Sequence, residues 1–326
     1  MRVGIGVSED LPIATQQALA REVEAARFAS LWTNEAAGRD ALQLCQAWAL
    51  ATSTLQVGVG IVPIWTRTPA QLAMACAALQ EASANRFLLG LGVSHPGTMG
   101  PWHDVQVRRP LTAARELLEI QRRLFADGMA DVHGEVFSAR FHLNVSPRPS
   151  QPTTYLAAMG PRMLALAGTA ADGVLLNWSC PDEVARAGER VRETAADAGR
   201  DAPSVATYVR VAVSSSGDAA RAALAQQVGQ YAALPAYASH FDRQGFGDTV
   251  QAIRAAYKAG GRDAIPDAID DDVLGQLGWW GTPDDDPAVA LGAYERAGLD
   301  HLVARVVVVG DDAAASVRDA VTALHP

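Results

Sequence analysis

The chain alternates short β-rich runs with longer amphipathic stretches throughout, the pattern of repeated βα units around a parallel sheet. Strands are predicted at 3–7, 30–33, 56–62, 87–92, 155–158, 173–177, 205–213 and 301–309, each followed by a helix-like segment. The runs 87–92 (FLLGLG) and 302–309 (LVARVVVV) lack the two-residue alternation of a sheet with one wet face. They therefore belong inside a barrel or a doubly wound sheet. Asp40, Thr68 followed by Pro69, and Asp218 mark helix starts, where a short oxygen-bearing side chain can accept from the free N–H groups of a first turn. Gly199, Gly260 with Gly261, and Gly298 mark helix ends.

Eight such units predict an α/β fold, a (β/α)8 TIM barrel in a single domain over residues 1–326, with short insertions before the fifth and last strands. In 131–152, His133-Gly134 lies between β-type residues and the stretch closes on Pro147, Pro149 and Pro152, which predicts a hairpin-like excursion. Residues 234–286 predict a helical insertion, with 284–287 (DDDP) opening the final helix before the last strand.

Length alone would suggest about two average domains, but parallel barrels routinely exceed 250 residues as one unit. With 49% hydrophobic and 19% charged residues, a large core is expected. The net charge of -9 argues against sequence-independent nucleic-acid binding, which needs a basic face. No apolar run reaches membrane-spanning length and the first residues show no signal-peptide pattern, so no membrane partner and a cytoplasmic address are expected. Cys45, Cys76 and Cys180 fit neither a disulfide framework nor a zinc site, and buried thiols are expected. Lys258 is the only lysine and sits at an exposed-looking helix end, which leaves Schiff-base chemistry without a candidate.

In such barrels functional groups collect where the strands end. Those positions are Ser8 and Glu9; Thr33, Asn34 and Glu35; Gly60, Ile61, Val62 and on to Trp65; Val93, Ser94, His95 and Pro96; Met159, Gly160, Pro161 and Arg162; and Asn177 to Cys180. Glycine inside a strand forfeits packing unless a backbone or ligand approaches closely. Gly60 and Gly92, nearest the strand ends, suit a flat ring laid against the sheet, while Gly58 and Gly90 serve equally well as packing space. Gly160 followed by Pro161 and a helical pattern exposes free N–H groups at a helix start. That is either a phosphate site, with Arg162 adding charge, or an ordinary strand-to-helix turn.

His95 can exchange a proton near neutral pH or cap neighbouring backbone. Glu35, Arg39 and Asp40 form either a functional or a solvated charge cluster. The remaining histidines show no ligand spacing, so no metal is expected. Trp65, Trp102, Trp178, Trp279 and Trp280 are candidates to wall an apolar pocket.

The segments 31–40 (LWTNEAAGRD), 57–69 (VGVGIVPIWTRTP), 85–96 (NRFLLGLGVSHP) and 158–168 (AMGPRMLALAG), followed by 171–174 (ADGV), resemble the bacterial luciferase-like superfamily. Within it, they resemble the branch that uses the deazaflavin coenzyme F420 rather than FMN. The resemblance covers essentially the whole chain. It implies a cis peptide at Gly60-Ile61 behind the ring, next to Val62. It also implies ring-edge contacts from Thr33, Asn34 and the backbone of Gly92, Val93 and Ser94, and phosphate contacts at Met159, Gly160, Pro161 and Arg162, with Ala158 and Asn177 beside them. A basic path from Arg67 or Arg162 would meet the coenzyme's anionic tail. Many relatives have an Asp-His pair where this chain has Asn34-Glu35, which leaves proton transfer to His95 or Glu35. The implied reaction is hydride transfer with a small organic substrate bearing an activated C=C, C=N or carbonyl/alcohol group, in a homodimer. The alternatives are an FMN-dependent monooxygenase fed by a flavin reductase, and a non-catalytic flavin-binding barrel.

Overall fold

A computed structural model describes residues 1–325. Its strands are β1 (Arg2–Gly6), β2 (Ser30–Thr33), β3 (Gln56–Pro63), β4 (Phe87–Gly92), β5 (Met129–His133), β6 (Ser138–His142), β7 (Thr153–Ala157), β8 (Gly173–Asn177), β9 (Ser204–Val213), β10 (Gly278–Gly281) and β11 (His301–Val307). Strands β1, β2, β3, β4, β7, β8, β9 and β11 pair in that order, all parallel, and β11 returns to β1. This closes the (β/α)8 barrel at the strand positions read from the sequence.

The helices are α1 (Ile13–Ala25), α2 (Ala41–Ala51), α3 (Pro69–Ala82), α4 (Pro96–His103), α5 (Pro110–Asp127), α6 (Pro161–Ala170) and α7 (Pro181–Asp197) in the first six units. They are followed by α8 (Gly217–Ala232), α9 (Pro235–Arg243), α10 (Gly247–Gly260), α11 (Asp271–Leu277), α12 (Ala288–Arg296) and α13 (Ala313–Ala323). None is long and apolar enough to cross a membrane. Asp40 caps α2 by accepting from the Leu42 and Gln43 N–H groups, and Thr68 caps α3 ahead of Pro69. Asp218 does not cap α8: Ser216 does, its hydroxyl accepting from Ala219 N, so Asp218 falls inside the first turn. Gly199 and Gly298 take positive φ just past their helices, the left-handed conformation glycine adopts without penalty.

The insertion before β7 is the predicted hairpin, β5 paired antiparallel with β6. The helical insertion comprises α9, α10, two 3-10 turns and α11, and it ends in β10. Strand β9 is ten residues long: its first half pairs with β8 as far as Tyr208, and its second half, from Arg210 to Val213, pairs with β10.

Inside the barrel, Trp32, Leu88, Tyr155, Leu175, Tyr208 and Val303 pack together, with Trp32 edge-on to Tyr155 at 5.8 Å and to Tyr208 at 6.4 Å. Both inner glycines serve packing. A side chain at Gly58 would come within 2.6 Å of the Trp32 ring, and one at Gly90 within 2.3 Å of the Val59 carbonyl oxygen. The three cysteines are buried free thiols.

Candidate active site

The carboxyl ends of the strands surround a cavity of about 420 Å³. Of the residues singled out in the sequence, Asn34, Glu35, Gly60, Ile61, Gly92, Val93, Ser94, His95, Ala158, Met159, Gly160 and Asn177 line it. Thr33 and Val62 do not reach it; both are fully buried, and Thr33 contributes only its carbonyl, which accepts from Tyr208 Oη at 3.4 Å. Pro161 and Arg162 are exposed at the first turn of α6, outside the lining. A larger cavity of about 610 Å³ lies among α8, α10 and the following 3-10 turn, but no strand residue lines it.

On the wall from β2 to β4, Gly60 and Gly92 bring main chain to the cavity beside Asn34, Glu35, Ile61, Val93, Ser94 and His95. The Gly60-Ile61 peptide is cis, and the register of β3 on β4 shifts between Val59 and Val62. A side chain at Gly60 would meet Tyr208 Oη at 2.3 Å and Leu175 Cδ2 at 2.7 Å; one at Gly92 would meet Ile61 Cγ1 at 2.9 Å. Glycine is therefore required for these strand ends to pack this closely at the cavity surface.

Behind that surface Glu35 is tied down. Its Oε1 accepts from Arg67 Nη1 at 2.6 Å and from Thr66 Oγ1 at 3.0 Å, while Arg67 Nη2 reaches Asp40 Oδ2 at 2.5 Å. Arg67 is thus committed to two carboxylates and gives no free basic path to the cavity mouth, a correction to the sequence reading. Two buried acceptors on this wall have no partner: Asn34 Oδ1 and Glu35 Oε2. A buried acceptor left unpaired costs about 1–3 kcal/mol, so a ligand bearing N–H groups is favoured there.

His95 caps α4, its Nδ1 accepting from Gly97 N at 3.0 Å. That bond assigns the proton of the neutral ring to Nε2. His95 therefore does both things open to it: it caps, and it lines the cavity.

Sequence reasoning missed the opposite wall. Tyr208 and Arg210 project from β9, and Tyr231 and Tyr237 come from α8 and α9. Arg210 donates to Asn177 Oδ1 and, at 3.3 Å, to Gln227 Oε1, and its guanidinium carbon lies 4.1 Å from the Trp178 ring centre and 5.2 Å from that of Tyr231. Asn177 Nδ2 in turn donates to Tyr237 Oη at 2.8 Å. The signal was present: positions 206, 208 and 210 share one face of β9, and a tyrosine and an arginine inside an otherwise apolar strand call for a partner. None of the five candidate tryptophans lines the cavity. Trp178 is buried beneath Arg210, Trp65 donates its indole N–H to the Val93 carbonyl, Trp102 is exposed, and Trp279 and Trp280 lie on β10. Tyrosines form this wall instead.

At a third side, α6 begins without a side-chain cap at Gly160, where an added side chain would meet nothing within 4 Å. Its free N–H groups and dipole suit an anion. Arg243, not singled out in the sequence, donates to the Met159 carbonyl at 3.1 Å and adds a nearby cation beside Arg162.

Residues 1–323 match the family described as luciferase-like monooxygenase. A 5,10-methylenetetrahydromethanopterin reductase of Archaeoglobus fulgidus is 28% identical over 93% of both chains. A putative coenzyme F420-dependent oxidoreductase of Mycobacterium tuberculosis is 27% identical over 87% of this chain and 88% of its own. The solved coenzyme F420-dependent tetrahydromethanopterin reductase of Methanopyrus kandleri superposes with a TM-score of 0.83, at 24% identity over 99% of this chain and 97% of that one. The protein belongs to the luciferase-like monooxygenase family, as an oxidoreductase whose relatives include reductases and F420-dependent oxidoreductases.

Proposed function

We propose that this protein binds coenzyme F420 along its β2–β4 wall and transfers a hydride between the deazaflavin and a small organic substrate with an activated C=C, C=N or carbonyl/alcohol group. The observation that carries this reading is the pair of unpartnered buried acceptors, Asn34 Oδ1 and Glu35 Oε2, beside the glycine surface of Gly60 and Gly92. Such a wall would take the flat face and N–H edge of a flavin-type ring. The uncapped start of α6 at Gly160, flanked by Arg162 and Arg243, would hold an anionic tail. The names of the relatives favour F420 over FMN.

When bound, the coenzyme supplies hydride chemistry, and the protein supplies binding, orientation and proton handling. His95 lines the cavity and is assigned the companion proton, which it would carry as the imidazolium once Nδ1 releases Gly97 N. Glu35, held by Arg67 and Thr66 through one oxygen, is a fixed acceptor. The protein is further taken to be a cytoplasmic homodimer, which light scattering of the purified protein checks.

Anaerobic titration with F420 and with FMN, followed by absorbance, tests the cofactor. Saturable F420 binding with no FMN binding is expected, and tight FMN binding without F420 binding would overturn the proposal. F420 binding without turnover of any enone, imine or alcohol would reduce the protein to a carrier.

A further inference from the structure

Arg210 faces the cavity with only 2% of its surface exposed. The groups it bonds to or stacks against are all neutral: Asn177, Gln227, Trp178, Tyr208 and Tyr231. In the sheet it sits in register with Arg305, a second cation, whose own carboxylate contact is Glu9 at 3.9 Å. Burying a cation is costly unless an opposite charge compensates it, and neutral acceptors do so only in part.

The acceptors around Arg210, the Asn177 and Gln227 carbonyl oxygens and the Tyr231 hydroxyl, are all neutral. Tyr237 Oη already accepts from Asn177 Nδ2, which leaves its own hydrogen to donate. The Asn177 carbonyl oxygen is taken by Arg210. Burial pushes the Tyr237 hydroxyl up to about 12, so it keeps that proton at neutral pH. Glu35 is the one acidic side chain in the cavity lining; it comes from β2's end, across the barrel mouth, and is committed to Arg67.

We propose that Arg210, with the hydroxyls of Tyr231 and Tyr237, forms the receptor for a carboxylate on the substrate, so that this enzyme's small organic substrate is a carboxylic acid bound as its anion. A planar guanidinium matches a planar carboxylate with two parallel N–H···O bonds, and the anion supplies the charge that the surrounding protein withholds. The word substrate rests on the redox reading; anion binding at Arg210 does not.

The test is calorimetric titration of the F420-loaded and F420-free protein with crotonate and benzoate, against the uncharged crotonamide and benzamide. The acids are expected to bind at least about tenfold tighter than the amides, as for charge-assisted pairs in a desolvated site. Arg210→Met is expected to bring the acids to the level of the amides while leaving F420 titration unchanged, and Tyr237→Phe to weaken the acids by about threefold or more with the amides unaffected. Acids no tighter than amides in the wild type, or a preference intact in a folded Arg210→Met protein, overturn the proposal. Should that variant fail to fold, as judged by circular dichroism, Tyr237→Phe decides, and an unchanged preference overturns it. A preference for the acids in a protein that binds no F420 would sink the F420 reading and leave the carboxylate receptor standing.

Discussion

The β2–β4 wall holds Arg67 between Glu35 and Asp40, while the β8–β9 wall holds Arg210 among neutral groups. Both guanidiniums are largely out of water, yet only the first has its charge met from within the chain. A charge satisfied internally stabilises the scaffold and presents a finished surface. One left unmet makes the folded state carry a cost that a bound anion can relieve. On the readings proposed above, one wall would take a neutral, hydrogen-bonding ring and the other an anionic group.

The largest expected effect separates the two arginines. Arg67→Met leaves the buried Glu35 without its cation and should cost about 3 kcal/mol in urea unfolding, whereas Arg210→Met removes an uncompensated charge, which offsets the loss of its bonds to Asn177 and Gln227, and should cost about 1 kcal/mol. Equal losses for the two would erase the distinction between the walls. Next comes His95→Asn, which preserves the cap because asparagine is a good N-cap residue, but removes the ring; kcat should fall about 100-fold with Tm unchanged. Undiminished turnover would leave His95 a cap only.

A smaller effect is expected at the seam between the walls. Gly60→Ala drives a methyl group toward Tyr208 Oη, 2.3 Å away, and should weaken F420 binding about tenfold. Adding Tyr208→Phe removes that oxygen and should recover part of the loss, so a double-mutant cycle showing strict additivity would count against direct contact across the seam.

The gentlest effect is the response to acid. Burial lowers His240, behind the insertion wall, to about 4, and His301, at the barrel floor, to about 3, both from an ordinary 6.5. In the unfolded chain these rings protonate below 6.5; in the folded protein they stay neutral to lower pH. Stability should therefore be full above pH 6.5 and decline on acidification toward pH 4, by up to about 1.4 kcal/mol per pH unit for each histidine. His301→Gln should flatten that decline, and an unchanged slope would show that other groups set it.

The barrel was legible because its strands are buried on both faces and read as apolar runs, and because Asp40 and Thr68 announce their helices through local hydrogen bonds. The glycine-marked half of the site was legible for the same reason, since glycines near strand ends and a Gly-Pro helix start are local features. The other half depends on tertiary placement. Tyr231 and Tyr237 belong to α8 and α9, whose position over the mouth no short-range pattern states, and Arg210 is one charged letter in an apolar strand. Asp218 was misread because Ser216, two residues earlier, offers the same capping chemistry and took the role. Arg67 was assigned to a ligand because its two carboxylate partners lie 27 and 32 residues away.

Strand β9 outlasts β8, and β10 takes over its free edge. The insertion is consequently stitched into the sheet by main-chain bonds at its exit instead of hanging as a flap. A graft that exchanged residues 214–281 as one cassette, with β10 as its anchoring hem, would carry a new recognition surface onto an unaltered β2–β4 wall. A graft that stopped short of β10 would leave the upper half of β9 without its neighbour and unravel the rim.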